Sequence, residues 1–471
     1  MKNNLKYIII AAVFLAAGCL TAFFTMGNTA SPAQTQTATQ DTGSGIAAQS
    51  VEEYPAQTVE YNVTLLPEVT SNVWYGNPEQ VYKILVSNKT RAVKGGYKDA
   101  NMYDYVNNAL TELGSFSRYF KNENNLTMEI NGTRYGAYVE DGESPIGGGK
   151  GYKDIFTTGD YIVKNITELK DAISKAKSGE VIYIEGNVSI DITTIISGGG
   201  YLDVKEGVTL ASNRGAMNPD GTVSTGARIY SASMANKAIY AQKGSRISGI
   251  TLEGGDPNQH LAHHARAFSG AGAPGHSYYY KLSTLQTDGI YVVGSDAVID
   301  NCEIGGFGHA AVFLAVGVKD AAVKYCYIHH NQANGLGYGI CHNNDATSIV
   351  EYNLFNYNRH SIAATGAPKT GYIARFNIEM GSSLSHCFDI HGGSDRKDGT
   401  NIAGTYCEIY NNTFLADTNP YWLRGIPEEY QYFYHNVCIN EYNQYTTNKL
   451  VGTRVKIYDN VFGIKNKTVK A

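Results

Sequence analysis

The chain has 471 residues, a formal net charge of −5 and 17 % charged residues. That length exceeds what one ordinary globular core holds, and neither the net charge nor any basic run points to nucleic acid as a partner. Glycine is frequent at 51 residues and proline scarce at 11, which suits a chain that turns sharply and often. The 36 tyrosines and abundant asparagine suit strands and Asn-rich turns. The 7 cysteines include no short-spaced metal or redox motif.

Lys2 and Lys6 precede an apolar run from Tyr7 to about Met26. A positive segment followed by a hydrophobic one reads as an export signal or membrane anchor over residues 1–27. Two forms stay open. Ala16-Ala17-Gly18-Cys19 resembles a lipobox with Ala16 in place of the usual Leu. The apolar run through Leu20, Phe23 and Phe24 also reaches about 20 residues, the length of a spanning helix. Either form places the rest of the chain outside the cell or at its surface, tethered to the membrane. Residues 28–58 are rich in Thr, Gln, Ala and Ser and read as a flexible spacer. Sequons at Asn62, Asn88, Asn125, Asn131, Asn165, Asn187, Asn411 and Asn466 are candidate glycosylation sites. Residues 59–150 read as a small accessory region, with a strand over Val81–Val86, a helix over Tyr103–Leu113 and Gly147-Gly148-Gly149 at its end.

The organised part spans residues 151–465. Asn165 or Thr167 caps a helix whose apolar stripe is Leu169, Ala172, Ile173 and Ala176, ended by Gly179. Such a helix suits the open end of a stacked fold, which would otherwise expose core and edge. Strands follow at Val181–Ile184, Tyr201–Val204, Gly207–Leu210, Ala227–Tyr230 and Ile247–Leu252. Residues 256–285, with His260, His263 and His264, interrupt them as one insertion, and His391–Gly399 form a second. Long loops on a regular scaffold often carry function.

Two series run through the centre. Asp288-Gly289-Ile290, His309-Ala310-Ala311, Asn334-Gly335-Leu336, His360-Ser361-Ile362 and His386-Cys387-Phe388 each read polar, small, apolar, at steps of 21, 25, 26 and 26. Cys302, Cys326, Asn353, Asn377, Asn412, Asn436 and Asn460 follow at steps of 24, 27, 24, 35, 24 and 24. A period in the twenties built from short strand-like runs indicates a parallel β-helix, one rung per repeat. Members of a series then stack at about 4.8 Å, so Asp288, His309, Asn334, His360 and His386 form one polar column. Alternation along the strand points Phe388 and Ile390 inward and Asp389 and His391 outward. Gly337, Gly339, Ala363 and Thr365 then line a low floor, a candidate sugar groove.

From Tyr161 to about Phe462 the chain resembles the right-handed parallel β-helix superfamily that includes pectate lyases and related polysaccharide lyases. The residues that carry the resemblance are the entry Asn165–Leu210 with its Gly207-Val208-Thr209-Leu210 turn, and the Asn column Asn353, Asn377, Asn412, Asn436 and Asn460. Thr287-Asp288-Gly289-Ile290 and Gly308-His309-Ala310 are also similar to the polygalacturonase branch, but its adjacent Asp pair is absent: Asp296, Asp300 and Glu303 stand apart. The pectate-lyase Arg-x-Pro-x-x-Arg pattern is absent too, since Arg424-Gly425-Ile426-Pro427 has another order. The resemblance implies an all-β, right-handed single-stranded parallel β-helix with an N-terminal cap helix. It also implies a polysaccharide or cell-surface glycan as partner, with a uronate polymer cleaved by β-elimination.

A uronate lyase must neutralise the substrate carboxylate, remove the adjacent proton and assist the leaving oxygen. Ca²⁺ held by carboxylates, or Arg or Asn/Gln, serves the first task, and a base such as His serves the second. In this reading His360 or His386 is the base, Asp389 and His391 flank the scissile region, and Arg359 or Arg424 meets the carboxylate. His309 belongs to the same column, and Asp288, Asp395 and Arg396 complete the substrate contacts. Three stacked imidazoles repel when charged, so depressed pKa values are expected. Turn stacking alone accounts for Asn334, His329, His330 and His342. A transition-metal site built from His and Asp is a weaker alternative. Cys302 and Cys326 either bridge or fill the core as small thiols. The competing class is a non-catalytic glycan-binding or envelope module, because the fold serves both. A monomer is expected.

Overall fold

In the computed structural model the described residues are 126–462, apart from 131, 141, 233–235, 256–286, 332–335, 381–382, 384, 417 and 439–453. The N-terminal apolar segment, the spacer, Val81–Val86, Tyr103–Leu113, Asn334 and the insertion at 256–285 lie outside them. No helix among the described residues is long and apolar enough to cross a membrane.

Between Tyr161 and Tyr458 the chain forms three all-parallel sheets, of eleven, nine and eight strands among the described residues. It visits them in rotation. Thr347–Glu351 lies in the eleven-stranded sheet, Leu354–Asn356 in the nine-stranded and His360–Ala364 in the eight-stranded. Gly371–Arg375 then returns to pair with Thr347–Glu351. One circuit is one rung, and the fold is a parallel β-helix. Each rung sends apolar side chains inward from all three sheets, as Val350, Phe355 and Ile362 do, and all three are fully buried. The core is therefore a narrow continuous column, and burial of apolar surface along it is the main stabilising term.

The expected helix forms over Ile166–Lys175. Asn165 Oδ1 accepts from Glu168 N at 3.0 Å, which satisfies a free amide of the first turn, and the Glu168 carboxylate accepts from Lys164 N, just before the cap, at 2.7 Å. Leu169 and Ala172 are buried in the main core, against the first strands of the solenoid. The single expected strand Ile247–Leu252 is two strands, Arg246–Ser248 and Thr251–Glu253, because Gly249 turns at φ +67° between them.

The Asn series is a ladder at the turn from the eleven- to the nine-stranded sheet. The amide nitrogens of Cys326, Asn353, Asn377, Asn412 and Asn436 each donate to the Oδ1 of the next Asn at 2.9–3.0 Å. The residue before each rung position is left-handed, including Tyr325, Tyr352, Phe376, Asn411 and His435 at φ between +49° and +56°. Such residues cost conformational energy, and the ladder bonds on every rung offset it. Tyr325, Tyr352 and Phe376 also stack face to face at 4.8 and 5.0 Å. A second ladder, Asn331–Asn358, occupies the turn into the eight-stranded sheet: Phe307 N donates to Asn331 Oδ1 and Asn331 Nδ2 to Asn358 Oδ1.

Residues 133–140 and 142–152, all but the last two placed by sequence in the accessory region 59–150, lie along the outside of the first ladder as a strap. Its partners fall in number as its own number rises. Gly136 N donates to His435 O, Gly147 N to Tyr352 O, Gly149 N to Asn301 Oδ1 and the Tyr152 hydroxyl to Asp300. The strap thus crosses most rungs of the solenoid. The glycine run has a physical reason here, since a Cβ on Gly148 would collide with the Tyr325 carbonyl. The strap also covers Asn411, whose amide donates to Arg134 O and which is buried, so a glycan at that sequon would displace it. Cys302 and Cys326 are free, buried thiols that fill the core.

Candidate active site

Strand pairing in the eight-stranded sheet corrects the column expected from spacing. Asp288 pairs with Ala310, Ala310 with Tyr338 and Tyr338 with His360, and the pairing of Ile362 with Phe388 sets His386 beside His360. The column is Asp288, Ala310, Tyr338, His360, His386. His309 sits one residue early, and Tyr338 takes the position assigned to Asn334. The shared feature is the small residue that follows: a Cβ on Gly289 or Gly339 would meet the Ala311 or Ser361 carbonyl oxygen at 2.5 Å. That crowding accounts for Gly at these two rungs, and the other rungs carry the small residues Ala311, Ser361 and Cys387 at the same position.

A second correction concerns faces. Cys387 and Phe388 both enter the main core, as Ala311 and Val312 do three rungs earlier. Alternation breaks there, so His386 and Asp389, three apart, share the outer face. Cys341 and Ala363, rather than Gly339 and Ala363, line up with Asp389. The floor is closed, not open: Cys341, Ala363, Asp389 and His360 are all fully buried. Access is at the rim, where side-chain exposure is 9 % for His386, 14 % for Arg424 and 21 % for Asp395.

Asp389 is the hub. Its Oδ1 accepts from Arg424 Nε and its Oδ2 from Arg424 Nη2, both at 3.1 Å. Three imidazole Nε2 atoms surround the same Oδ2, those of His391 at 2.9 Å, His386 at 3.3 Å and His360 at 3.9 Å. His360 Nδ1 donates to the His386 carbonyl at 2.6 Å, which fixes its tautomer and leaves Nε2 as a bare lone pair. That Nε2 is buried and has no hydrogen-bond partner among the described residues. The rings of His360 and His386 stack at 4.0 Å, with Tyr338 on the far side of His360 and Trp422 on the far side of His386.

Electrostatics follow from this packing. Burial drives His360 well below the ordinary imidazole range, helped by His386 and Arg359, and burial brings His386 down to about 4 against the pull of Asp389. Both are neutral at pH 7. Burial works against the Asp389 charge, but Arg424 and the flanking imidazoles outweigh it and hold the carboxyl well below its usual value. Burial likewise lowers Arg359, whose Nη1 donates to the Tyr338 hydroxyl at 3.5 Å, and raises Tyr338 far above the usual phenol value.

Of the residues singled out by sequence, His360, His386, Asp389, His391 and Arg424 form this cluster, with Arg359 beside it through Tyr338. Asp395 lies at the rim, 3.7 Å from Arg424, and its carboxylate also caps Gly392 N at 3.2 Å. Arg396 is bonded within the 391–399 loop and to the rung beside it. Its guanidinium is spent on Asp398 and on the Thr365 and Ile402 carbonyls, where it ties down the 391–399 loop. Asp288 and His309 pair with each other at 2.7 Å, further along the solenoid. His342 bonds the Ala363 carbonyl and Ser348, and His329 bonds Glu303; both lie in strands, Tyr338–His342 and Tyr327–His329, and not in the turns expected. Tyr338 and Trp422 were missed, because aromatics in strands read as packing.

No family model matches the chain, and no curated protein does. Among solved structures it is similar to an alginate lyase from Paenibacillus sp. at 13 % identity, covering 64 % of this chain and 94 % of that one with a TM-score of 0.38. A lacto-N-biosidase from Eubacterium ramulus is similar at 10 % identity over 60 % of this chain, which spans about half of that protein (51 %), with a TM-score of 0.32. A capsular polysaccharide depolymerase tailspike of an Acinetobacter baumannii bacteriophage is similar at 12 % identity over 70 % and 68 % of the two chains, with a TM-score of 0.29. All three scores are low, and the likeness assigns neither a family nor a reaction to this chain.

Proposed function

We propose that this chain is a surface-tethered enzyme that cleaves an acidic polysaccharide by β-elimination at the His360–Asp389 cluster. The observation that carries the reading is a neutral imidazole with an idle lone pair beside Arg359, a cation that no carboxylate contacts directly among the described residues, with Asp389 acting on it only through space. His360 Nε2 is unpartnered, and among the described residues no carboxylate pairs with the neighbouring Arg359. A uronate fits both halves. Its carboxylate would meet Arg359, His360 Nε2 would take the proton on the adjacent carbon, and the bond to the leaving oxygen would break as the double bond forms. Tyr338, held protonated by burial, would supply a proton to that oxygen. Asp389 and Arg424, each compensating the other, would position His386 and His391 rather than react. The tether rests on Lys2, Lys6 and the apolar run that follows.

The burial of His360 and Asp389 favours a second reading, a non-catalytic glycan-binding or envelope module whose cluster only stabilises the rungs. The full chain incubated with a panel of uronate polysaccharides separates the two by ultraviolet absorbance of the unsaturated product. A rising signal that disappears in folded His360→Gln supports the lyase. A flat trace across the panel, with reducing ends unchanged, establishes the module instead.

A further inference from the structure

The same cluster has the donor geometry of a metal site. His360 Nε2, His386 Nε2 and one Asp389 carboxylate oxygen lie within 4.8 Å of one another and are buried together. Two of the three atoms are already 3.3 Å apart, His386 Nε2 and Asp389 Oδ2. Donors of one tetrahedral ion with bonds of 2.0–2.2 Å sit about 3.3 Å apart. The third, His360 Nε2, is 3.9 Å from the same oxygen and within 4.8 Å of His386 Nε2, so it must move inward to join them.

The surroundings match what such ligands require. His360 Nδ1 donates to a backbone carbonyl, and His386 Nδ1 lies 3.3 Å from Ser385 Oγ, so both rings present Nε2 inward. Arg424 Nε holds Asp389 Oδ1 and orients the carboxylate, while Oδ2 now meets Arg424 Nη2 at 3.1 Å and His391 Nε2 at 2.9 Å and takes the ion as these two withdraw. Arg424 Nη2, now 3.3 Å from His386 Nε2, would swing out. The His360 lone pair is the second, independent sign of a missing partner, since a fully buried Nε2 with nothing to bond is costly. We propose that His360, His386 and Asp389 bind one divalent transition-metal ion of the Zn²⁺ class. The donor set does not fit Ca²⁺, which takes six to eight oxygens, whereas imidazole suits Zn²⁺. Because the His360 lone pair is also the base proposed above, a bound ion and proton abstraction exclude each other.

The test is Zn²⁺ titration of the full, chelator-stripped chain by calorimetry, with bound metal counted by mass spectrometry. The expected result is a binding step of one equivalent that raises the unfolding temperature. It is lost in His360→Gln and in Asp389→Asn and kept when the histidines of the 256–285 insertion, His260, His263, His264 and also His276, are all replaced. Retention of the step in folded His360→Gln, or its loss in the four-histidine control, overturns the assignment. Should His360→Gln fail to fold, Co²⁺ titration of the wild type and of the four-histidine control decides. A saturable tetrahedral nitrogen–oxygen spectrum in both supports the site, and its absence from either refutes it.

Discussion

Two buried polar columns climb this solenoid one rung at a time, and they are built on opposite rules. In the Asn ladder every amide is spent. Asn377, for example, accepts from Asn353 N and donates to the Val350 and Arg375 carbonyls and to Asn412 Oδ1. In the outer column of the eight-stranded sheet, His360 keeps an idle Nε2, three imidazoles crowd one carboxylate oxygen, and Arg359 has no anionic partner among the described residues. A column that exists to hold turns saturates its bonds. One that leaves a lone pair and a charge in hand is poised to receive something. The strap at residues 133–152 lies over the ladder.

The comparison breaks most visibly at the ladder. Asn377→Ala strands buried groups on two neighbouring rungs and is expected to cost about 3 kcal/mol or more of stability, read from urea unfolding. His360→Gln is expected to do the reverse, lowering turnover about 10²- to 10⁴-fold while stability moves by less than about 1 kcal/mol. If both variants simply unfold the chain, the two columns are the same kind of structure.

Proton linkage sharpens the contrast. His386 sits at about 4 in the folded chain, below an unfolded value of about 6.5. Its depressed value means the unfolded state binds the proton first. Its contribution is fully present above about 6.5 and is lost as pH falls towards 4. Unfolding midpoints across that window should decline, and decline less steeply in His386→Gln. His342, also at about 4 and on the same sheet, keeps part of the slope in that variant. The smallest effect belongs to the strap. Tyr152→Phe removes one hydroxyl bond to Asp300 and is expected to cost about 1 kcal/mol with turnover unchanged.

Legibility followed the same division. The ladder was readable because its period is set by one residue type with one task, and Asn353 to Asn460 line up as the spacing requires. The outer column was readable only in part. Requiring a polar first residue selected His309 and Asn334, whereas the geometry requires a small second residue, as Ala310-Ala311 and Tyr338-Gly339 supply. Strict alternation also hid the meeting of His386 with Asp389, because two consecutive inward residues, Cys387 and Phe388, leave no period to detect. Arg396 looked like a ligand contact for its charge, yet the carbonyls it bonds come from chain segments that sequence does not bring together. The strap was not legible at all, since backbone and side-chain bonds over nearly three hundred positions of separation have no local pattern.

One paired measurement tests the central claim most directly: product formation on a uronate polysaccharide and the urea midpoint, both on one preparation of His360→Leu. The account predicts that product formation disappears while the midpoint falls far less than in Asn377→Ala, because Leu removes an idle lone pair and only one bond, from Nδ1 to the His386 carbonyl. A midpoint that collapses like that of Asn377→Ala, with activity per folded molecule unchanged, would contradict it.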